Sequence, residues 1–226
     1  MKKISACLFD LDGVIVETDK YHFLAWSVLA KELNIPFDQN DNERLKGVSR
    51  MASLDIVLSL GNISMNASQK YSLAQKKNDI YRAYLSELSE KSILPGVVSL
   101  LETLKSNGIK VGIGSSSKNA NFILNQIGLI DQFDTIVDGS MVENSKPEPD
   151  IFLLGAKKLN IKPEACLVIE DAAAGVLAAK AANMLCIGVG AKDQLHEADL
   201  IVSNLTQLTM ENIDSLFHNN QKTEIA

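Results

Sequence analysis

From residue 109 onward the sequence alternates short, continuously apolar runs rich in β-formers with stretches of helical period, and this alternation restricts the fold more than any other feature. The runs are "IKVGIG" (109 to 114), "FDTIVD" (133 to 138), "ACLVIE" (165 to 170), "LCIGVG" (185 to 190) and "DLIVS" (199 to 203). A further run, "ISACLF" (4 to 9), opens the chain. A strand that is apolar on both faces has to be covered on both faces, which a parallel sheet with helical crossovers achieves. Val97, Leu100, Leu101 and Leu104 recur at i, i+3, i+4, i+7 between Pro95-Gly96 and Asn107-Gly108, the pattern of such a crossover helix. The expected class is therefore α/β, a doubly wound, Rossmann-like parallel sheet with its ligand at the carboxyl ends of the strands.

The segment from 17 to 92 has a different character, with no good strand in it. Tyr21, Leu24, Ala25 and Val28 make one helical stripe, Leu54, Val57 and Leu58 a second, and Tyr81, Tyr84, Leu85 and Leu88 a third. The expectation is a helical cap domain, 17–92, inserted after the first strand of a core formed by 1–16 and 93–226. Two linkers join it, near 14 to 17 and 93 to 96, so it can rock as a lid. Internal repeats and low-complexity tracts are absent from the sequence, and the tail "HNNQKTEIA" is expected to fray.

A chain of 226 residues that is 46% hydrophobic can bury a substantial core. Its net charge of −6, without a basic stripe, argues against nucleic-acid binding, so any anionic ligand must be met by a few placed cations. No apolar segment reaches membrane-spanning length and no cleavable leader is evident, which makes the cytoplasm the expected location. Cys7, Cys166 and Cys186 lie in separate apolar runs without metal-ligand spacing and read as buried, reduced thiols. The lack of a long unexplained apolar stripe favours a monomer.

The chemistry-bearing residues cluster where strands end. In "CLFDLDGVIVETD" Asp10 and Asp12 are two apart, so on extended backbone both side chains point the same way. A calcium loop fails as an alternative, since Gly13 follows directly and no later ligand keeps loop spacing. "GIGSSSKNA" places Ser115, Ser116 and Ser117, then Lys118 and Asn119, where a helix begins; Ser there is an ordinary cap or an anion site. "SKPEPD" fixes Lys146 ahead of Pro147 and Pro149, and "CLVIEDAAAG" ends a strand in Glu170-Asp171. Each feature alone has a bland reading as a cap, a solvated surface charge or a helix-dipole acid. Their joint order is acid pair, hydroxyl, lysine, acid pair, each at or just beyond a strand's carboxyl end, and this points to one phosphoryl-transfer rim. Phosphate oxygens repel a carboxylate nucleophile, so a cation and an ammonium must neutralise them before Asp10 can attack. Asp12 is then suited to move the proton in both directions.

These four pieces resemble the haloacid dehalogenase superfamily: "DLDG", Ser115, Lys146 and "ED" at 170 and 171. "YHFLAW" (21 to 26), "LKGVSR" (45 to 50), "KKND" (76 to 79), "SSSKN" (115 to 119) and "SKPEPDIF" (145 to 152) are similar to the β-phosphoglucomutase family over nearly the whole chain. The resemblance implies an isomerase of carbohydrate metabolism that interconverts β-D-glucose 1-phosphate and β-D-glucose 6-phosphate through an aspartyl phosphate and a bound β-glucose 1,6-bisphosphate. It implies Asp10 as nucleophile and Asp12 as acid–base. It also implies Mg²⁺ held by Asp10, the carbonyl of Asp12 and Asp171, with Glu170 beside it. Ser115, with Ser116 next to it, and Lys146 would hold the phosphoryl group in transfer. Arg50, Ser117, Lys118 and Asn119 would hold the other phosphate, and His22, Trp26, Gly47, Val48, Ser53 and Lys77 would face the sugar. Glu17 stands where the superfamily usually has Asp, and Ala172 where Ser often follows the acid pair; these departures bear on cap closure and metal tuning. A sugar-phosphate phosphatase needs the same four pieces and is the alternative. A non-catalytic phosphosugar-binding protein gives no reason to retain both Asp10 and Asp12.

Overall fold

The computed structural model describes the backbone of residues 3–223. The six apolar runs become β1 (Ala6–Phe9), β2 (Lys110–Ser115), β3 (Thr135–Asp138), β4 (Cys166–Glu170), β5 (Leu185–Val189) and β6 (Leu200–Val202). They form one sheet in the order β3-β2-β1-β4-β5-β6, every neighbouring pair parallel. The order reverses between β1 and β4, the place where an open α/β sheet leaves a crevice at its carboxyl edge. Register puts the ends level: Phe9 pairs with Ile113 and Ile169, and Ser115 with Asp138.

Covering the sheet are α5 (Val97–Ser106), α6 (Ala120–Gln126), α7 (Asp150–Leu159), α8 (Ala173–Ala181) and α9 (Met210–Thr223), which follow four earlier helices: α1 (Asp19–Glu32), α2 (Gln39–Glu43), α3 (Arg50–Leu60) and α4 (Ala67–Leu85). Apolar side chains collect on both faces of the sheet, around Phe9, Leu101 and Ile123 on one and Leu8, Phe152 and Val176 on the other. All four residues of the Val97 to Leu104 stripe are buried. So are the three cysteines, as free thiols. The expected fraying tail is helical as far as Thr223, and 224–226 lie outside the described residues.

Helices α1 to α4 carry an apolar cluster of their own, in which Trp26 and Leu29 meet Leu54, Val57, Leu58 and Ala74. The stripe expected on α1 needs correction, because Leu24 and Val28 are exposed while Tyr21, Ala25, Trp26, Leu29 and Ala30 are buried. The i, i+4, i+8 ridge through Ala25 packs inward toward α4, and the i+3 shoulder turns out; period alone does not choose between shoulders. Helix α2, five residues with a capping box from Asp38 to Asp41, is too short to register as a stripe. The two crossings between the helices and the sheet touch each other. Val16 bridges Ile93 in antiparallel fashion and the Leu94 amide donates to the Ile15 carbonyl at 2.9 Å.

Candidate active site

The first strand delivers Asp10 to the crevice. Its amide continues the ladder by donating to the Ile169 carbonyl at 2.9 Å, and the residue is 5% exposed. Lys146, carried on the segment that Pro147 and Pro149 lead into α7, places Nζ 2.5 Å from Asp10 Oδ1 and 2.5 Å from Glu170 Oε1. Burial alone would drive the ammonium to give up its proton, but Asp10 and Glu170 more than offset this and hold its pKa above the usual lysine value. Burial pushes Glu170 up, with Lys146 opposing.

Lys146, expected on the phosphoryl group, is instead buried against Asp10 and Glu170, and neither it nor Glu170 belongs to the wall of the cavity that Asp10 faces. Glu170, expected beside the metal, is held from two sides. Oε1 accepts from Lys146, and Oε2 accepts from the Ala172 amide at 2.8 Å, so both of its oxygens are engaged. Glu170 fits here because α8 has Gly175 in its first turn: a Cβ on that residue would lie 1.7 Å from Glu170 Oε1. Ala172 has no hydroxyl to cap α8, and its methyl lies against Gly47, whose own Cβ would sit 2.8 Å away.

Two of the groups that hold Asp12, Thr18 and Tyr81, were not among the expected site residues. Thr18, fully buried at the start of α1, donates its hydroxyl to Asp12 Oδ1, and the Tyr81 hydroxyl donates to the same oxygen at 3.3 Å. His22 Nε2 lies 3.9 Å from it. Burial and the neighbouring Asp10 charge push Asp12 up to about 6, with Thr18, Tyr81 and Lys77 pulling the other way. Three groups thus converge on Oδ1. Lys77, 2% exposed, places Nζ 2.8 Å from His22 Nδ1 and over the rings of Trp26 and Tyr81 at 4.7 and 4.6 Å. Burial with the charges of Lys77 and Arg50 keeps the His22 ring neutral.

Asp10 and Asp12 open on a cavity of about 530 Å³ roofed by the helical insert. Its walls include the expected His22, Trp26, Gly47, Val48, Arg50, Ser53 and Lys77 from the roof. From the sheet side they include Ser115 to Asn119 and Asp171. Arg50 and Lys118 have no carboxylate within ion-pair distance among the described residues. Two of the expected phosphate ligands already bridge roof and sheet: Ser116 donates to the Gly47 carbonyl at 2.8 Å, and the Asn119 amide donates to buried Asn78 at 3.0 Å. Asn78 lies beside Lys77 in the "KKND" run and has no sequence signature beyond that. Asp138, at the end of β3, is tied to Ser140 N at 2.8 Å and belongs to the loop rather than to the cavity wall.

The donor set fits a hard divalent cation. Burial, reinforced by the Glu170 and Asp10 charges, raises the Asp171 carboxyl well above its ordinary range, the condition of a carboxylate short of a positive partner. It lies over Gly13, where a Cβ would come 2.1 Å from Oδ2 and where φ is +82°, so the loop after β1 leaves a cradle beneath it. Among the described residues no three His, Cys, Asp or Glu side chains could hold a metal by themselves. A set of two carboxylates, Asp10 and Asp171, with a backbone carbonyl does not require three, and oxygen donors suit Mg²⁺.

The profile of the haloacid dehalogenase-like hydrolases matches residues 4–183. β-Phosphoglucomutase of Bacillus subtilis is 44% identical over 92% of this chain and 93% of its own length. A phosphorylated-carbohydrates phosphatase of Thermotoga maritima is 32% identical over 80% of this chain and 82% of its own. The crystal structure of β-phosphoglucomutase from Clostridium difficile superposes with a TM-score of 0.93 at 45% identity, covering 96% of this chain and 98% of that one.

Proposed function

This chain belongs to the haloacid dehalogenase-like hydrolase family, and we propose from that premise that it interconverts β-D-glucose 1-phosphate and β-D-glucose 6-phosphate. Similarity to two β-phosphoglucomutases at 44% and 45% identity over nearly full length supports the mutase reading over hydrolysis. The carrying observation is internal: the walls of one roofed cavity carry a carboxylate pair together with Arg50, Lys77 and Lys118, basic side chains without ion-pair partners among the described residues, of which Lys77 is bonded to His22 while Arg50 and Lys118 are left for a phosphate. A hydrolase needs one phosphate site; a mutase must grip two phosphates while the bisphosphate turns round.

Asp10 attacks phosphorus through a carboxylate oxygen and becomes the aspartyl phosphate. Lys146, pinned between Asp10 and Glu170, fixes that carboxylate's orientation and lends positive charge behind it. Mg²⁺, held by Asp10, the carbonyl of Asp12 and Asp171, would polarise the phosphoryl oxygens and offset their charge. Ser115 and Ser116 lie beside the phosphoryl group in transfer, while Arg50, Ser117, Lys118 and Asn119 take the distal phosphate, Arg50 in bidentate fashion. Asp12 deprotonates the sugar hydroxyl that attacks the aspartyl phosphate and, after the resulting bisphosphate has turned, protonates the sugar oxygen that leaves as Asp10 takes the other phosphoryl group. His22 and Lys77 orient Asp12 and face the sugar together with Trp26, Gly47, Val48 and Ser53. The closed roof excludes water from the aspartyl phosphate.

The test mixes the protein with Mg²⁺, β-glucose 1-phosphate and a trace of β-glucose 1,6-bisphosphate as primer, and follows glucose 6-phosphate against free phosphate. Glucose 6-phosphate as the main product supports the mutase, whereas mainly free phosphate means a sugar-phosphate phosphatase. Asp10→Asn should abolish phosphoenzyme. Arg50→Ala should lower mutase turnover by about a hundredfold while sparing phosphoenzyme formation, and an unchanged rate would remove the distal phosphate site.

A further inference from the structure

Beside the catalytic cavity lies another of about 340 Å³, between the loop after β1, the linker at Leu94 and Pro95, and the loops after β5 and β6. Gly13, Asp19, Lys46 and Asp171 belong to the walls of both. The partition is therefore a glycine, an ion pair and the carboxylate with no side chain beneath it. Lys46 Nζ is 3.4 Å from Asp19 Oδ2 and 2.9 Å from Glu43 Oε1, so both partners of that ion pair come from the roof. On its far side this second cavity is lined by exposed residues, Ala191, Gln194 and Ser203 among them. The catalytic cavity is closed in a different direction, by the Ser116–Gly47 and Asn119–Asn78 bonds between roof and sheet.

We propose that the second cavity is a side entrance through which a hydrated divalent cation reaches Asp171 while the roof stays shut. The inference rests on the metal assignment made above and concerns only the route. Glu17, Asp19 and Asp171 against Lys46 leave the passage net negative, which favours a cation and opposes a sugar phosphate dianion. The passage thus separates two traffics: the cation exchanges at the side, while the bisphosphate leaves only when the roof lifts. Glu17, in place of the family's usual Asp, is exposed on this wall rather than in the catalytic cavity, and there its longer carboxylate serves the entrance.

Release of Mn²⁺ from the loaded full chain into excess EDTA, read by the electron paramagnetic resonance of the metal, tests the route. In the native chain saturating glucose 6-phosphate should leave the release rate within about twofold, because the side stays open. Ala191→Trp, a plug on the outer wall at a residue that does not line the catalytic cavity, should slow release by about tenfold when glucose 6-phosphate is present and little when it is absent. Gln194→Trp plugs the same passage independently, should one variant fail to fold. Arrest of native release by the sugar phosphate, or native release rates in both plugged variants, would overturn the side entrance. Mn²⁺ that does not bind at all would overturn the metal assignment and this route with it. Turnover of β-glucose 1-phosphate in the same Mn²⁺-loaded samples reports the mutase reading separately.

Discussion

Asp12 shows how much of the site is decided one side chain at a time. Thr18 and Tyr81 both donate to its Oδ1, and a donor that binds the carboxylate lowers its pKa, against burial and the Asp10 charge that raise it to about 6. Attack by a sugar hydroxyl on the phosphorylated enzyme needs ionised Asp12, so the rate of that half-reaction should rise with pH through about 6 and then level off. Thr18→Val removes a donor and should move this limb to higher pH by about one unit, since a hydrogen bond to a charged group is worth about 1.5 kcal/mol. The pH profile of kcat/KM for β-glucose 1-phosphate measures it, and an unmoved limb would mean that Thr18 does not tune Asp12. Nothing in the sequence around Thr18 marks it, because threonine at a helix start is commonplace. Asp10, Asp12 and Lys146 were readable because a charge at the end of an apolar run, or wedged before prolines, is not commonplace.

At the level of elements, α8 is shaped around Glu170. Alanine usually improves on glycine inside a helix by about 1 kcal/mol. At Gly175, however, the added Cβ would lie 1.9 Å from Glu170 Cδ, so the carboxylate must leave and Lys146 loses one of its two anchors. Gly175→Ala should therefore lower kcat by about a hundredfold with KM for the sugar phosphate nearly unchanged, as a displacement of about 1 Å at a reacting group can. Gly108→Ala is the contrast: open space surrounds its Cβ, but φ is +72°, so it should cost about 1 kcal/mol in urea unfolding and leave kcat alone. Steady-state kinetics and unfolding midpoints separate the two. The strands themselves were legible to within two residues, because their apolar runs end in turn-forming or charged residues. The α1 stripe was half wrong, since an amphipathic period names a face only to within a shoulder, and the position of α4 settles which shoulder is buried.

For the whole molecule, the decisive contacts join the roof to the sheet. Asn78 and Asn119, 41 positions apart, meet in a buried hydrogen bond, and Ser116 reaches Gly47 across 69. If these bonds hold the roof down over the aspartyl phosphate, Asn78→Ala should let water in. The ratio of free phosphate to glucose 6-phosphate should then rise about fivefold or more while Asp10 is still phosphorylated, and an unchanged ratio would assign Asn78 to packing alone. Sequence by itself determined the chain order of strands and helices, with helices alone between the first strand and the second, and set Asp10, Ser115 and Asp171 at or just past the carboxyl ends of β1, β2 and β4, because period, turn chemistry and chain order are local properties. Only the tertiary structure decided that Glu170 secures Lys146, that Thr18 and Tyr81 load Asp12, and that Ser116 and Asn119 latch the roof. Lys146 and Asp10 are 136 positions apart, Tyr81 and Asp12 are 69 apart, and no local pattern encodes which of many compatible side chains a packed fold brings within hydrogen-bond distance.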